Sequence, residues 1–411
     1  MSNINQLALS VTAEMEAAGY AQQTIWSLYI YSLLPLIRYH AEHGVEDFDA
    51  YLTAEYERTE KQRYESGEIS RGHYYHRLRG IDKITRLHDT GKLLWKPVKK
   101  GSMYKSNDYY EGLLGEYLES ETFHPNTRDD IVWVARSFFS WLVNNSHANL
   151  SRVTATEIQQ FIIHCSGFMT SVSVRNVLLY TKKLCAYLHG RGLLPTPFVA
   201  LLTMKVQRES KMYPAARQDE VAAVLEQIDR STVQGKRDYA VILLGAVTGL
   251  RAVDVKNLKL SNIDWKQGEI RIVQSKTGKT NILPLTQDVG KAVKDYILHA
   301  RPHSVDDNVF IRLHPPFVAV TDSWSIGDIY ERYRKRAGLL REAFDGKGFH
   351  SLRRALGKNM TTAGVPVTST AQVLGDMEFD SANKYISLDS EHLAAVALDF
   401  SGIEVAGGAA Q

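Results

Sequence analysis

Two arginines and a histidine in the C-terminal half of the chain have the types and spacing of a phosphate-binding site. Arg251 follows Gly249 in "TGLR", and Asp254 lies three residues further on, where its carboxylate can hold the guanidinium from the same helix face. His350 and Arg353 lie three residues apart in "GFHSLRRALGKNM", at the predicted start of a helix, where backbone N–H groups favour negative charge. These two motifs predict a site for an anion such as a phosphate.

A lysine and a tyrosine lie on elements close to these motifs in sequence. Lys276 begins the segment Lys276–Lys279, which we predict to be a hairpin turn because its glycine can supply a positive φ. Tyr385 follows a predicted helix that ends at Gly375, and it lies on a second helix predicted to begin near Ser381. Each feature alone has an ordinary explanation as a turn lysine, a surface pair or a structural arginine. Their order along the chain favours one shared site.

Together, these residues resemble the catalytic set of the tyrosine recombinase, or phage integrase, family. The matching residues are Arg251 in "TGLR", Lys276 in "SKTGK", His350 and Arg353 in "HSLRR", and Tyr385 after "LGD". The resemblance is specific because five residues occur in the order and approximate spacing of the family. It covers the chain from about residue 213 to the end.

The resemblance implies a role for each residue in breaking a DNA phosphodiester. Arg251 and Arg353 bind the non-bridging oxygens of the scissile phosphate, because attack on this group first requires charge neutralisation. Tyr385 is the nucleophile and forms a 3′-phosphotyrosyl link. His350 accepts the tyrosine proton or binds the phosphate, and Lys276 protonates the leaving 5′ oxygen. No metal and no cofactor are expected.

Two other tyrosines are internal alternatives for the nucleophile. Tyr330 and Tyr333 lie in "DIYERYRKR", before His350 in the chain. Packing on a basic helix is their ordinary explanation, and we therefore prefer Tyr385.

One position departs from the family pattern. The family usually has histidine, or sometimes tryptophan, directly after "LG", whereas this chain has Asp376. An ionised aspartate facing a phosphate would repel it. Asp376 is therefore protonated, or points away and holds Arg251 or Arg353, or marks a degraded site. We favour the second explanation because the other five residues are present.

The composition describes a globular protein whose charge permits nucleic acid binding without requiring it. The 411 residues suggest two or three domains, with 44% apolar residues, 23% charged residues and a net charge of +3. No apolar run approaches the length of a membrane span, roughly 18 residues, and no signal peptide is recognisable. We therefore expect a cytoplasmic, nucleoid-associated protein without a membrane partner. Cys165 and Cys185 lack metal-binding spacing and are expected to be core residues in a reducing compartment.

Helical periodicity and the resemblance together predict the domain organisation. Residues 1–100 are expected to form an additional N-terminal DNA-binding module, and residues 105–203 resemble the core-binding helical (SAM-like) domain. A basic linker is expected at 204–212, followed by the catalytic domain at 213–411.

Two short strands are predicted in "GEIRIVQSKTGKTNILPL" of the catalytic domain. Their apolar positions are Ile270, Ile272 and Ile282 with Leu285. The expected fold class is mainly α with a small antiparallel sheet in the C-terminal catalytic domain (α+β), preceded by N-terminal helical DNA-binding domains.

The two N-terminal blocks share a pattern at an offset of 101 residues. We hypothesise that they are tandem copies of one helical module, with chance matching of helix-compatible residues as the alternative. Clearly different helix topologies would contradict the hypothesis. The matching helix faces are Ile30, Leu33 and Ile37, and Ile131, Val134 and Phe138.

The resemblance also implies the partners. Double-stranded DNA with specific recombination sites is the expected substrate, and a homo-oligomer, a tetramer in the synaptic complex, is the expected assembly. Accessory DNA-bending factors are a further expected class of partner. The apolar stripe of Leu393, Val396 and Leu398 is expected to pack on a neighbouring subunit, or else within its own chain.

Three functions are compatible with the motifs. The leading one is a site-specific recombinase that integrates or excises a phage or mobile element. A catalytically silent DNA-binding regulator is the second, and Asp376 is the feature that favours it. A type IB topoisomerase, which shares the chemistry, is the third, although two helical modules before the catalytic block suit recognition of a defined site.

Overall fold

The chain divides into two compact units. The first comprises Met1–Val98 together with Met212–Gln411, and the second comprises Lys99–Lys211. The computed structural model describes residues 3–93, 104, 106–194, 212–275, 278–320, 324–342 and 345–375.

Helices of the N-terminal block pack around a hydrophobic core of their own. Side-chain oxygens of Asn3, Asp49 and Ser70 accept hydrogen bonds from backbone N–H groups at three helix starts, and Gly91 ends the last helix with a φ of +66°. The helices are α1 (Ile4–Ala17), α2 (Gln22–Leu28), α3 (Leu34–Glu42), α4 (Ala50–Glu65) and α5 (Arg71–Thr90).

A π-helical turn, Tyr29–Leu33, joins α2 to α3. Such a turn holds one extra residue and therefore rotates the residues that follow it. Leu28 and Leu33 consequently lie in the core, whereas Ile30 is only half-buried. The predicted apolar face is thus confirmed for Leu33 and Ile37, which are buried, whereas Ile30 is only half-buried.

The π turn lies directly against α5. The hydroxyl of Ser32 donates to the carbonyl of His76 at 2.6 Å. A Cβ at Gly80 would lie only 2.6 Å from Cβ of Ser32, so the two helices meet at a position that only glycine allows.

The second unit contains four α-helices within residues 106–194, again around one core. Ile131, Val134 and Phe138 are all buried there, as their spacing predicts. Thr154 and Glu157 form a capping box at the start of the third helix. The helices are α6 (Asp108–Ser120), α7 (Pro125–Asn144), α8 (Ala155–Ser166) and α9 (Ser171–Gly190), with a short 3₁₀ turn at Leu150–Arg152.

The helix order is similar in the two N-terminal blocks, with the single helix α7 in the place of α2, the π turn and α3. Corresponding helices α1 and α6, α2 and α7, α4 and α8, and α5 and α9 begin 100 to 105 residues apart. The last helix of the first block, α5, packs against α1, α4 and the π turn, and that of the second block, α9, packs against α7 and α8. The helix order is therefore compatible with tandem copies of one module.

The C-terminal block is arranged around one central helix, Val233–Thr248, which packs against the other helices described in this block except Val367–Leu374. Its Val241, Ile242 and Leu244 are fully buried in the core. The helices are α10 (Gln218–Glu226), α11 (Val233–Thr248), α12 (Ala252–Asn257), α13 (Gln287–His299), α14 (Trp324–Arg336), α15 (His350–Thr362) and α16 (Val367–Leu374).

A three-stranded antiparallel sheet completes this block, in the order β1 (Ile263–Asp264), β2 (Glu269–Val273) and β3 (Thr280–Pro284). Ile270 pairs with Leu283 and Arg271 pairs with Ile282, so Leu283 faces the core and Ile282 is exposed. The predicted hairpin is confirmed, but the inward-facing residue of β3 is Leu283, because strand neighbours point to opposite faces.

These elements confirm the expected fold class, mainly α with a small antiparallel sheet. Among the described helices, none combines the length and apolar character needed to cross a lipid bilayer.

The two cysteines should resist thiol reagents in the folded protein. Burial raises the pKa of the Cys165 thiol to about 11 and that of the Cys185 thiol to about 12, so few reactive thiolates exist at about pH 8. With a chromogenic disulfide reagent, we expect no reaction of the native protein within minutes and reaction of both thiols in denaturant. Fast labelling of the native protein would contradict this prediction.

Candidate active site

Gly249 ends α11 and leads into the turn that carries Arg251. Its φ is +64°, a conformation that favours glycine. A Cβ at this position would also lie 2.8 Å from Cδ2 of Leu374 and 2.9 Å from Cδ2 of Leu356. The glycine of "TGLR" therefore lets α15 and α16 pack closely against the turn before Arg251.

Gln274, just after β2, is a close partner of the Arg251 guanidinium. Nη1 of Arg251 donates to Oε1 of Gln274 at 2.9 Å, whereas Oδ2 of Asp254 lies 3.9 Å from the same nitrogen. Asp254 instead accepts a hydrogen bond from the backbone N–H of Ser275 at 2.8 Å. The predicted hold of Asp254 on Arg251 is thus a long ion pair, and the carboxylate mainly fixes the start of the hairpin turn.

His350 is the first residue of α15, as predicted, and it is exposed. Phe349, immediately before it, is buried against α11. A Cβ at Gly245 of α11 would lie 2.3 Å from the Phe349 ring, so the glycine permits this close contact. The packing of Phe349 therefore fixes the position at which α15 begins.

Arg353 lies one turn along α15 and is only 2% exposed. Its Nη1 donates to the carbonyl of Gly249 at 3.1 Å, and its Nη2 donates to the carbonyl of Leu374 at 2.5 Å. These carbonyls lie at the C-terminal ends of α11 and α16, where the helix dipole favours a cation. One guanidinium thus joins the ends of two helices.

Hydrogen bonds, together with the backbone from Gly249 to Arg251, form a closed circuit that connects the two arginines. Nε2 of Gln274 donates to the same Leu374 carbonyl at 3.1 Å. The circuit runs from Arg251 to Gln274, to the carbonyl of Leu374 and to Arg353. It then reaches Gly249, two residues before Arg251. The positions of the two guanidinium groups are therefore coupled.

Sequence reasoning missed Gln274, although β2 contains a signal for it. Ile270, Ile272 and Gln274 occupy alternate positions, which face the same side of a strand, and all three are buried. A polar residue at the third inward position needs buried hydrogen-bond partners. That requirement identifies Gln274 as a residue with an internal role.

Gly278 and Gly375 border segments that lie outside the described residues, and both have the backbone conformation predicted for them. Gly278 has a φ of +66°, as the hairpin turn requires, and Gly375 ends α16 with a φ of +63°.

No three His, Cys, Asp or Glu side chains in the described part of the chain cluster as metal ligands. The described residues do not include Lys276, Asp376, Tyr385, linker residues 204–211, the helix predicted near Ser381, or Leu393, Val396 and Leu398.

Tyr330 and Tyr333 are core residues of α14, with 1% and 3% of their surface exposed. The Tyr333 hydroxyl donates to Oδ2 of buried Asp238 at 3.0 Å. Burial raises the pKa of both phenols, and for Tyr333 the nearby Asp238 carboxylate adds to the effect. Both tyrosines therefore pack in the core, as expected from their ordinary explanation.

Comparison with known proteins identifies the family. Residues 215–392 match the phage integrase family. The Sinorhizobium fredii protein y4gC, named as an integrase/recombinase, is 34% identical over 188 residues, which cover 46% of this chain and 95% of that protein. The chain belongs to the phage integrase family of tyrosine recombinases.

Other family members match more of the chain. Protein y4rA of the same species, also named as an integrase/recombinase, is 31% identical over 270 residues, 66% of this chain and 65% of that protein. The match thus spans slightly less than two thirds of that relative. Tyrosine recombinase XerC of Lactobacillus delbrueckii subsp. bulgaricus is 24% identical over 290 residues, 67% of this chain and 93% of XerC.

Solved structures of tyrosine recombinases share the fold. A lambda integrase dimer bound to a COC′ core site has a TM-score of 0.54 and 18% identity, covering 72% of this chain and 99% of that chain. XerH recombinase in a post-cleavage complex with a palindromic difH substrate has a TM-score of 0.53 and 17% identity, covering 65% and 78%. At these identities the similarity concerns the fold.

The substitution Tyr333→Phe should destabilise the C-terminal block. It removes a hydrogen bond to the buried Asp238 carboxylate, which we expect to lower the free energy of unfolding by about 1–2 kcal/mol. Urea unfolding should show this loss, whereas Val305→Ala, at a position 94% exposed, should change stability by less than about 0.5 kcal/mol. Equal effects of the two substitutions would contradict the assigned role of Tyr333.

Proposed function

We propose that this chain is a site-specific DNA recombinase that cleaves and rejoins strands through a 3′-phosphotyrosyl intermediate. The Tyr385 oxygen attacks the scissile phosphorus and forms a new P–O bond, while the bond to the 5′ oxygen breaks. That oxygen takes a proton, for which Lys276 is the proposed donor. A 5′ hydroxyl from a second strand then reverses these steps and joins the exchanged strands.

The observation that supports this proposal best is the coupled position of Arg251 and Arg353 in a member of this family. The transition state of phosphoryl transfer concentrates negative charge on the phosphate oxygens. Cationic groups already held by fixed hydrogen bonds need little reorganisation to stabilise that charge. Arg251 retains 13% side-chain exposure, and we assign its guanidinium to the phosphate.

His350 is proposed to accept the tyrosine proton or to bind the phosphate. It is exposed at the start of the helix that also carries Arg353. Backbone N–H groups of a first helical turn carry partial positive charge, which favours an anion at the same place. Asp376 is proposed to point away from the phosphate and to hold Arg251 or Arg353.

Double-stranded DNA with a specific site is the proposed substrate, and a homotetramer is the proposed synaptic assembly. Similarly folded proteins support this: one structure contains a lambda integrase dimer on a core site, and another contains a lambda integrase tetramer on a Holliday junction. Accessory DNA-bending factors and a role in integrating or excising a phage or mobile element are part of the same proposal.

The domain assignment is also proposed. Residues 1–100 are an N-terminal DNA-binding module and residues 105–203 the core-binding domain. The basic linker at 204–212 leads to the catalytic domain at 213–411. The shared helix order of the two N-terminal blocks favours a similar role for both.

Helix α5 is the proposed DNA-contacting helix of the first module. It carries five Lys and Arg residues against two Asp residues. Burial lowers the pKa of His76, and the neighbouring positive groups of Arg79, His73 and Arg77 lower it further. Arg71 and Arg79 are exposed, so cationic side chains are available to duplex phosphates.

Covalent trapping should test the chemistry. We expect the protein to form a covalent complex with nicked duplexes drawn from DNA that flanks its own gene, because a nick lets the short fragment that carries the free 5′ hydroxyl diffuse away, so that the strand cannot be rejoined. On denaturing gels the complex should be absent for Tyr385→Phe and present for the matched control Tyr330→Phe.

Two results, from native gels and from a plasmid relaxation assay, would contradict the proposal. Shifted complexes on native gels without any covalent product would indicate a silent DNA-binding regulator. Relaxation of supercoiled plasmids regardless of their sequence would indicate a type IB topoisomerase.

The role of α5 predicts a change in salt dependence. Replacing Arg71 and Arg79 by alanine should weaken duplex binding and reduce the slope of log K against log salt by about 1–2, because each phosphate contact contributes roughly 0.9 to that slope. Filter binding over a salt series measures this. The control pair, Arg58→Ala with Lys61→Ala, changes two exposed cations of α4. Equal slopes for the two double variants would remove α5 from the interface.

A further inference from the structure

Gln274 connects a candidate phosphate-binding arginine to the end of α16. Its Oε1 accepts from Arg251 at 2.9 Å and its Nε2 donates to the carbonyl of Leu374 at 3.1 Å. The side chain is 1% exposed, so water cannot replace these partners. Both ends of one amide are therefore used inside the protein.

Gly375, the residue after Leu374, lies directly against the Gln274 amide. A Cβ at Gly375 would lie 2.2 Å from Nε2 of Gln274 and 2.3 Å from its Oε1. Such distances are far below van der Waals contact, so Gly375 is needed for the amide to reach the Leu374 carbonyl. Gly375 directly precedes Asp376 in the sequence.

An amide is chemically suited to this position because it accepts at one atom and donates at the other. A glutamate would still accept from Arg251, but its second oxygen would face the Leu374 carbonyl, and two acceptors repel. A methionine would fill a similar volume without either strong hydrogen bond.

We propose that Gln274 is a positioning residue, which orients the Arg251 guanidinium and ties it to the C-terminal end of α16. The proposal rests on the recombinase function proposed above. It assigns a role to Gln274 through Arg251, without contact between Gln274 and DNA. A shift of Arg251 should therefore slow strand cleavage and leave DNA affinity nearly unchanged.

The test compares wild type, Gln274→Met, Gln274→Glu and the control Gln267→Met, which alters an exposed glutamine in the β1–β2 turn. Covalent trapping under single turnover gives the cleavage rate, and native gel shifts give the affinity. We expect both Gln274 variants to cleave about 10- to 100-fold more slowly, with affinity within about threefold of wild type. The Gln267→Met variant should match wild type in both measurements.

A double-variant cycle separates positioning from a general loss of structure. In an Arg251→Lys background, Gln274→Met should cause a much smaller further loss of rate, because its effect acts through the arginine. An equal fold-loss in both backgrounds would overturn the proposal, as would Gln274→Met cleaving at the wild-type rate. Urea unfolding checks that each variant is folded, and Gln274→Glu replaces Gln274→Met if the latter is not.

Arginine NMR keeps the inference testable without activity. If wild type forms no covalent product, the recombinase function fails, while the Arg251 guanidinium signal, assigned by its loss in Arg251→Lys, still reports on Gln274. We expect that signal to shift and broaden in Gln274→Met and to stay unchanged in Gln267→Met. An Arg251 signal that stays unchanged in Gln274→Met would overturn the inference.

Discussion

The carbonyl oxygen of Leu374 accepts two hydrogen bonds, and the candidate site depends on this one atom. It receives Nη2 of Arg353 from α15 and Nε2 of Gln274 from the end of β2. The carbonyl lies at the end of α16, where the helix has no further N–H group to offer it. An unsatisfied helix end thus becomes the point at which two elements distant in sequence are held together.

Three glycines, which have no Cβ, make the close packing at this site possible. Gly249 allows leucines of α15 and α16 to pack against the turn before Arg251, and Gly375 leaves space for the Gln274 amide. Gly245 does the same for Phe349 at the start of α15. In each case a Cβ would come closer than contact distance, so the geometry of the site is set by steric exclusion as much as by attraction.

Burial of Arg353 is tolerated because its charge is compensated by two helix ends. A buried guanidinium without partners would cost several kcal/mol, roughly the desolvation penalty of the ion. Here it donates to carbonyls at the negative ends of α11 and α16. The same arginine therefore stabilises the packing of the C-terminal block and, in the proposed function, contributes positive charge at the phosphate.

The amino-acid sequence by itself determined the features that depend on neighbouring residues. The end of α16 at Gly375, the β2–β3 hairpin and the similar helix order of the N-terminal blocks follow from periodicity and turn residues. The five residues that resemble the family catalytic set were also recognisable in sequence, and family membership is confirmed.

Only the tertiary structure decided which distant groups meet. Gln274 and Leu374 are 100 residues apart, so no local pattern could pair them, and Arg251 was expected to rely on Asp254 instead. The π turn that displaces Ile30 and the register that exposes Ile282 are likewise set by packing against other elements. Local propensity selects helices and strands, but contacts between elements choose the register and partners, because they depend on all surrounding groups at once.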